Sequence, residues 1–343
     1  MDQLWLWVGF MAFVLAMLAL DLLVFHREAH EVRIREAAIW SAVWVALGLL
    51  FGYGIYRYMG PTQGLEYLAG YLIEKALSVD NIFVFVLIFS YFGVPAQFQH
   101  RVLFWGILGA LVMRGAMIGA GALLIERFDW IMYVFGAFLV FTGIRMALQR
   151  EEHIEPESNP ALKLVRRFLP VTKEYHGQRF FVEEEAPRGG MRRAATPLFV
   201  VLVLVETTDL IFAVDSIPAI FAVTQEPFIV FSSNIFAILG LRSLYFLLAG
   251  VIHKFHFLKL GLSVILAFVG VKMLLVDVFP VPISVSLAVI AGVRAISIGA
   301  SLLFPKKAEE MTPVDHDPLP PVGGASEGGA VYDRQRQRSS EEK

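Results

Sequence analysis

Long runs of apolar residues, separated by short polar segments, recur along most of the chain. Each run is about twenty residues long, the length that an α-helix needs to cross the roughly 30 Å hydrocarbon core of a bilayer. The runs predict nine transmembrane helices, near residues 4–25, 37–57, 65–91, 102–124, 129–148, 196–222, 228–250, 258–278 and 282–304. The sequence therefore predicts an all-α, polytopic membrane protein.

The composition supports this fold class and narrows the function. Of the 343 residues, 57% are hydrophobic and 17% are charged, whereas soluble domains carry about 25% charged residues. No cysteine is present, which excludes disulfides, iron–sulfur clusters and thiolate metal sites. We find no basic domain for nucleic acid, no phosphate-binding glycine loop, no nucleophile elbow and no HExxH motif. We therefore expect neither nucleic-acid binding nor enzymatic activity.

Polar segments divide the chain and orient it. A transmembrane domain is predicted for residues 1–305, with a long polar loop at 149–195 between the fifth and sixth helices, and a disordered tail is predicted for 306–343. Lysine and arginine concentrate in alternate loops, and the long loop alone contains nine of them. By the positive-inside rule, the N-terminus lies outside and the long loop and C-terminus lie in the cytoplasm.

Two groups of three predicted helices, 3–5 and 6–8, share short matches. "VDNIFVF" (79–85) aligns with "TDLIFAV" (208–214), "LVMRG" (111–115) with "LGLRS" (239–243), and "FTGIRM" (141–146) with "FVGVKM" (268–273). The matches keep nearly one offset, pairing Asp80 with Asp209, Arg114 with Arg242 and Gly143 with Gly270. Because each copy has three helices and the long loop between them does not cross the membrane, the second copy is predicted to be inverted. Inverted repeats of this kind place a substrate site near the bilayer midplane.

Acidic residues interrupt two of the predicted helices. Asp80 lies about fifteen residues into the third helix and Asp209 about fourteen into the sixth, so both reach mid-depth at 1.5 Å per residue. A charged residue at the bilayer centre costs at least ~2.5–3.5 kcal/mol and usually faces a bundle interior or a water-filled path. In the third helix, Glu74, Ser78 and Asn81 share one face.

The sixth predicted helix carries two further acids, Glu206 and Asp215. Glu206 and Asp209 share a face with Ser216, whereas Asp215 points away from it on an ideal helix. Pro218 removes a hydrogen bond and clashes with the preceding turn, so a kink there could redirect Asp215 toward the other acids.

Positive side chains also occur at membrane depth, and they leave two interpretations open. Lys75, Arg114, Arg242 and Arg294 could simply neutralise the acids as buried ion pairs, although such pairs rarely add net stability. Alternatively, the surplus of two negative charges would suit one divalent cation, or two protons. The acids counted are Asp21, Glu74, Asp80, Glu206, Asp209 and Asp215. Oxygen ligands without cysteine or intramembrane histidine favour Mn²⁺, Mg²⁺ or Ca²⁺ over Zn²⁺ or Cu⁺.

The two acidic segments, "EKALSVDNIFVFVLIFSYFGVP" and "VETTDLIFAVDSIPAIFAVT", resemble the signature segments of the TerC family. The "DLLVFHR" stretch in the first helix and the nine-helix layout agree, so the resemblance covers roughly residues 1–305. It implies a bacterial inner-membrane protein; Alx-type members are associated with manganese export and the wider group with metal homeostasis and tellurite resistance. The resemblance carries over the acidic positions Glu74, Asp80, Glu206, Asp209 and Asp215, with Ser78, Asn81, Thr207 and Thr208 as neighbouring oxygen donors.

The leading hypothesis is a secondary transporter that exports a divalent cation by alternating access through this midplane site. Mn²⁺ is the expected substrate, with Ca²⁺ or Mg²⁺ as alternatives, and no permanently bound cofactor is expected. A midplane rich in carboxylates argues against direct binding of tellurite, which is an anion. The alternatives are a non-transporting scaffold or chaperone in metal or tellurite stress, with a protein partner at the 150–195 loop, and a pathway that conducts protons alone.

Overall fold

Helices make up most of the part of the chain that the computed structural model describes, residues 3–20, 33–128, 130–148, 160–185, 191–250 and 257–304. The all-α prediction is confirmed, apart from one short β-hairpin. The helices are α1 (Gln3–Leu20), α2 (Ile34–Tyr58), α3 (Pro61–Tyr91), α4 (Ala96–Arg127), α5 (Ile131–Leu148), α6 (Pro160–Phe168), α7 (Pro197–Phe221), α8 (Pro227–Leu239), α9 (Leu241–Leu248), α10 (Leu258–Leu274) and α11 (Ile283–Leu303), and the strands are β1 (Phe181–Glu185) and β2 (Met191–Ala195). The tail at 306–343 and Asp21 lie outside the described residues.

Every predicted membrane segment contains a helix, and several helices can span a bilayer. Within the described ranges, five helices are long and apolar enough to do so, and the bent pair α8–α9 makes a sixth. A polytopic membrane protein is therefore confirmed. Helix α3, which carries Glu74, Lys75 and Asp80, is not among the six. The number of nine transmembrane helices stays a prediction.

The seventh predicted helix, 228–250, is broken at Gly240. Helices α8 and α9 meet there at 40°, and Gly240 has no room for a side chain because a Cβ would lie 3.0 Å from both the Lys75 Nζ and the Trp44 Cβ. The Lys75 ammonium donates a hydrogen bond to the Ala237 carbonyl at 3.1 Å. It thereby satisfies a backbone oxygen at the negative end of α8, where a cation is favoured.

Helices α5 and α10 touch along glycines. A Cβ at Gly143 would lie 2.8 Å from the carbonyl oxygen of Ser263, and a Cβ at Gly270 would lie 2.6 Å from that of Gly136. Small residues allow backbones in a membrane to approach this closely. Gly143 and Gly270 are matched positions in the two predicted repeats, and the same offset relates Gly136 to Ser263. The two contacts are therefore exchanged by the predicted repeat relation.

The segment between the two halves of the chain folds against the bundle. Strands β1 and β2 pair antiparallel, with Val182 opposite Ala194. The Tyr175 hydroxyl donates to the carbonyl of Phe92, after the end of α3, at 2.7 Å; burial raises the pKa of Tyr175 to about 12, so this donor keeps its proton at neutral pH. The Thr196 hydroxyl, at the start of α7, donates to the Arg179 carbonyl at 2.7 Å. One segment thus contacts the end of α3 and the start of α7, so these helices run in opposite directions.

Candidate functional site

A fully buried arginine, Arg114 of α4, lies at the centre of the bundle. It binds Asp209 of α7 with two hydrogen bonds, from Nε to Oδ2 at 3.2 Å and from Nη2 to Oδ1 at 2.8 Å. Its Nη1 donates to the Glu74 carboxylate of α3 and to the Asn234 Oδ1 of α8, the latter at 3.1 Å. One guanidinium thus joins two carboxylates from α3 and α7, the helices that the predicted repeat pairs.

Two amides complete this cluster. The Asn234 Nδ2 donates to the Glu74 Oε2 at 3.1 Å, and the Asn81 Nδ2 donates to the Asp209 Oδ1 at 3.3 Å. Glu74, Asn81, Asp209 and Asn234 are each 3% exposed or less. We call these four residues and Arg114 the Arg114 cluster. Two carboxylates and one guanidinium give it a formal charge of −1.

The cluster shows that the ion-pair interpretation describes Glu74 and Asp209. Burying charges carries a large desolvation penalty, which is offset only when geometry and additional hydrogen bonds are good. The two-pronged bond to Asp209 has this geometry, and the amides satisfy further carboxylate oxygens. Removal of Arg114 would leave two buried carboxylates without a counter-charge, whereas removal of Asp209 would leave two buried guanidinium donors without their acceptor.

Asp80 and Asp215 lie outside the Arg114 cluster. Asp80 interacts electrostatically with Arg294 of α11, whose Nη2 donates to the Ala76 carbonyl at 2.6 Å. Asp215 faces α5, with the Thr142 hydroxyl within hydrogen-bonding reach and the charge of Arg145 nearby. Helix α7 continues through Pro218 to Phe221, so the proline does not turn Asp215 toward Asp209.

Glu206 lies one turn before Asp209 on α7 and packs over Gly109 of α4. A Cβ at Gly109 would overlap the Glu206 carboxyl group, so the glycine makes the room that this side chain occupies. The Glu206 Oε2 is buried and accepts no hydrogen bond from the described residues. The negative charge of Asp209 repels a negative charge on Glu206.

The predicted hydroxyl ligands divide into two groups. The hydroxyls of Thr207 and Thr208 donate to carbonyls four residues earlier in α7, each at 2.7 Å, so they are used within their own helix. Ser78 is fully buried. Its Oγ and the Asn81 Oδ1 are buried and have no hydrogen-bond partner within the described ranges. These two oxygens remain available beside the cluster.

The structure brings together only part of the predicted set. Glu74, Asn81 and Asp209 converge, with Ser78 on the same face of α3, whereas Asp80, Glu206, Asp215 and Thr208 have other neighbours. Among the described residues, no three acidic, histidine or cysteine side chains are grouped so that they could hold a metal ion. The Arg114 cluster contributes only two acids to such a group, Glu74 and Asp209, and the Arg114 guanidinium lies between them.

Asn234 is a cluster residue that the sequence analysis missed. It lies in "FSSNIFAIL", where an amide follows two serines inside an apolar helix. That pattern is an available signal, because polar side chains inside membrane helices usually hydrogen-bond across helices.

A narrow cavity reaches the cluster between α4, α7 and the α8–α9 break. Its walls include Gly106, Asp209 and Arg242. The cavity volume is about 10 Å³, close to the minimum that holds one water molecule. This cavity is therefore too small to hold a hydrated ion in the described arrangement of the helices.

The contact between Gly109 and Glu206 gives a first prediction. Gly109→Ala should destabilise the protein by about 1 kcal/mol, the low end of the usual cost of overpacking, because the new methyl group overlaps a carboxyl that lies at the end of a flexible side chain and can partly rotate away. Glu206→Asp, whose side chain is one methylene shorter, should recover part of that loss in the double variant. Thermal unfolding in detergent measures both effects.

Gly119→Ala is the matched control on the same helix, because nothing lies within 4 Å of a Cβ at that position. It should leave the melting temperature unchanged or raise it, since alanine is the better helix former. Equal melting temperatures for Gly109→Ala and Gly119→Ala would contradict the described contact.

The apolar helices and the buried charged cluster define a polytopic integral membrane protein. The model of the integral membrane protein TerC family matches residues 59–309. The chain belongs to the TerC family.

The matches of three relatives to this chain cover more than nine-tenths of each relative's length. "Uncharacterized membrane protein STKORF319" of Myxococcus xanthus is 56% identical, over 88% of this chain and 93% of its own. "Putative membrane-bound redox modulator Alx" of Escherichia coli (strain K12) is 52% identical, over 84% and 91%. "Uncharacterized membrane protein" of Rickettsia bellii is 38% identical, over 87% and 97%. No solved structure matches the chain.

Proposed function

We propose that this protein is a secondary transporter that exports a divalent cation, with Mn²⁺ as its substrate, across the bacterial inner membrane. The observation that carries the proposal is that Glu74 and Asp209, from two oppositely directed helices, both bind one buried positive charge. In the structure, this positive charge is the guanidinium of Arg114. A position that holds a cation between two carboxylates suits cations and repels anions.

The ligand chemistry of this position favours a hard cation. Besides the carboxylates of Glu74 and Asp209, the side-chain oxygens of Ser78 and Asn81 have no hydrogen-bond partner among the described residues. All four groups offer oxygen as a ligand. Mn²⁺, Mg²⁺ and Ca²⁺ prefer oxygen ligands. The ion would bind once the guanidinium has left the space between the carboxylates.

The driving force would come from an ion gradient, since the sequence contains no phosphate-binding loop for ATP. In transporters with inverted repeats, rocking of one repeat against the other exposes a midplane site to each side in turn. The small cavity at Asp209 and the broken helix α8–α9 support such a movement, because a closed path must open before an ion passes.

The name of the Escherichia coli relative raises the question of redox activity. These 343 residues contain no cysteine, so the chain has no thiol with which to exchange disulfides. We infer that any redox effect of this protein would follow from the metal content of the cell. Orientation with the N-terminus outside and the 149–195 loop in the cytoplasm is part of the proposal, and reporter fusions to both termini test it.

Transport into proteoliposomes tests the function. Purified protein should mediate uptake of Mn²⁺ above that of protein-free vesicles, in a panel that includes Ca²⁺, Mg²⁺ and the anion tellurite. Glu74→Gln should lower the initial Mn²⁺ rate at least about tenfold, equivalent to ~1.4 kcal/mol, because one of the two charges that hold the ion is lost. Glu184→Gln, an exposed acid of β1 that pairs with Arg192 at 3.5 Å, is the matched control.

Two results would overturn the proposal. One is uptake by the wild type equal to that of empty vesicles for every divalent ion in the panel. The other is a Glu74→Gln variant, folded by size-exclusion chromatography, that transports Mn²⁺ as fast as Glu184→Gln. Proton movement without any metal dependence would instead identify a proton pathway.

A further inference from the structure

The Arg114 guanidinium occupies the place that a transported cation needs. It binds Asp209 at 2.8 and 3.2 Å and also contacts Glu74, so a metal ion and this side chain cannot bind both carboxylates together. Resting on the proposed function, we propose that Arg114 is a tethered competitor that leaves when the divalent cation binds, and that Glu206 receives its guanidinium.

Charge explains why the two cations should exclude one another. Glu74 and Asp209 together carry −2, which leaves −1 with Arg114 in place and 0 with a divalent ion in its place. Both at once would put +1 in a buried site, where like charges repel strongly. Arginine keeps its charge at all relevant pH values, so the exchange requires movement of the side chain.

Glu206 is the acceptor that the geometry offers to the displaced guanidinium. It lies three residues before Asp209 on α7, and residues at this spacing are neighbours on a helix surface, about 5–6 Å apart. Its carboxyl packs against α4, the helix that carries Arg114, at Gly109. Its buried Oε2 accepts no hydrogen bond from the described residues. Glu206 can therefore accept one from a donor that leaves Asp209, one turn further along α7.

The return of Arg114 would also release the substrate. A site with two carboxylates and no competitor would hold a divalent ion tightly and give it up slowly. A guanidinium held close by on Glu206 can displace the ion once the path to the far side opens. Arg114 therefore sets the affinity, and Glu206 stabilises the ion-bound arrangement.

Mn²⁺ binding by purified full-length protein in detergent, measured by titration calorimetry, tests the exchange. If Arg114 occupies the carboxylates for 90–99% of the time, it weakens apparent affinity about 10- to 100-fold. Arg114→Gln should therefore bind Mn²⁺ about 10- to 100-fold more tightly than the wild type. Its melting temperature should also rise with Mn²⁺ far more than that of the wild type, because the ion replaces the missing charge.

Glu206→Gln should act in the opposite direction, because a displaced guanidinium then finds no charged acceptor, and Mn²⁺ should bind more weakly than to the wild type. Glu184→Gln, which removes an exposed acid of β1 far from the predicted site, should bind Mn²⁺ as the wild type does. Arg114→Lys keeps the charge that stabilises the fold but cannot form the two-pronged bond. The Mn²⁺ affinity of Arg114→Lys should lie between those of the wild type and Arg114→Gln. Arg114→Lys replaces Arg114→Gln in the test if the latter does not fold.

The outcomes separate this inference from the proposed function. Absence of Mn²⁺ binding and transport in the wild type overturns the proposed function. Wild-type binding with unchanged or weaker binding in both Arg114 variants overturns the competition. Tighter binding in the Arg114 variants with unchanged or tighter binding in Glu206→Gln supports the competition and overturns Glu206 as the acceptor.

Discussion

Replacing Asp209 with alanine is expected to lower the free energy of unfolding by about 2–6 kcal/mol, because two buried donors of Arg114 lose their acceptor at about 1–3 kcal/mol each. Asp209 is 3% exposed and accepts two hydrogen bonds from Arg114. Without it, the fully buried guanidinium keeps only Glu74 and Asn234 as partners. Thermal unfolding in detergent, followed by circular dichroism, measures the loss.

Two comparisons isolate the ion pair as the cause. Glu184→Ala removes an acid whose side chain is 47% exposed, and it should change stability by no more than about 0.5 kcal/mol. Replacing all three charged residues together, as Glu74→Leu, Arg114→Met and Asp209→Leu, should destabilise the protein less than Asp209→Ala alone, because no buried charge of the cluster then remains. A melting temperature for Asp209→Ala equal to that of Glu184→Ala would contradict the buried pair.

Replacing Gly270 with leucine is expected to separate α5 from α10 and to prevent correct folding. Even the Cβ would lie 2.6 Å from the Gly136 carbonyl oxygen and 2.8 Å from the Val140 amide nitrogen. These atoms belong to the backbone and cannot rotate away, so the cost should exceed the ~1–3 kcal/mol that is typical of overpacking. The yield of monodisperse protein in size-exclusion chromatography measures the effect.

Gly299→Leu in α11 is the matched control, since nothing lies within 4 Å of a Cβ there. Its yield and melting temperature should equal those of the wild type. A normal yield for Gly270→Leu would mean that the α5–α10 contact is looser than described.

The sequence predicts the helices well because long apolar runs can satisfy their backbone groups in a membrane only as helices. It does not predict the break at Gly240, because no proline or charge marks that position. Lys75 and Trp44, more than 160 residues earlier, fill the space beside the glycine at the break. Contacts over such distances are invisible in local periodicity.

In the candidate site, too, local spacing predicts some features, whereas contacts between distant helices decide others. Helical spacing places Glu74 and Asn81 on one face, and both lie in the Arg114 cluster; the inverted repeat stays a prediction. Spacing cannot say which acid faces which neighbour. Asp209 turns to Arg114 and Asp215 to α5, and this choice is fixed by the rotation of α7 in the packed bundle.

The link between Glu74 and Arg114 bears on how the chain is made. Only residues 92–95 separate α3 from α4, so the acid and its partner lie on the two arms of one helical hairpin. Each charged residue near a helix centre costs about 2.5–3.5 kcal/mol during insertion through the translocon. Helix α3 emerges from the ribosome first and is a poor substrate for insertion by itself. We expect α3 to insert only after α4 has been synthesised, so that the two helices enter the lipid together with Glu74 and Arg114 paired.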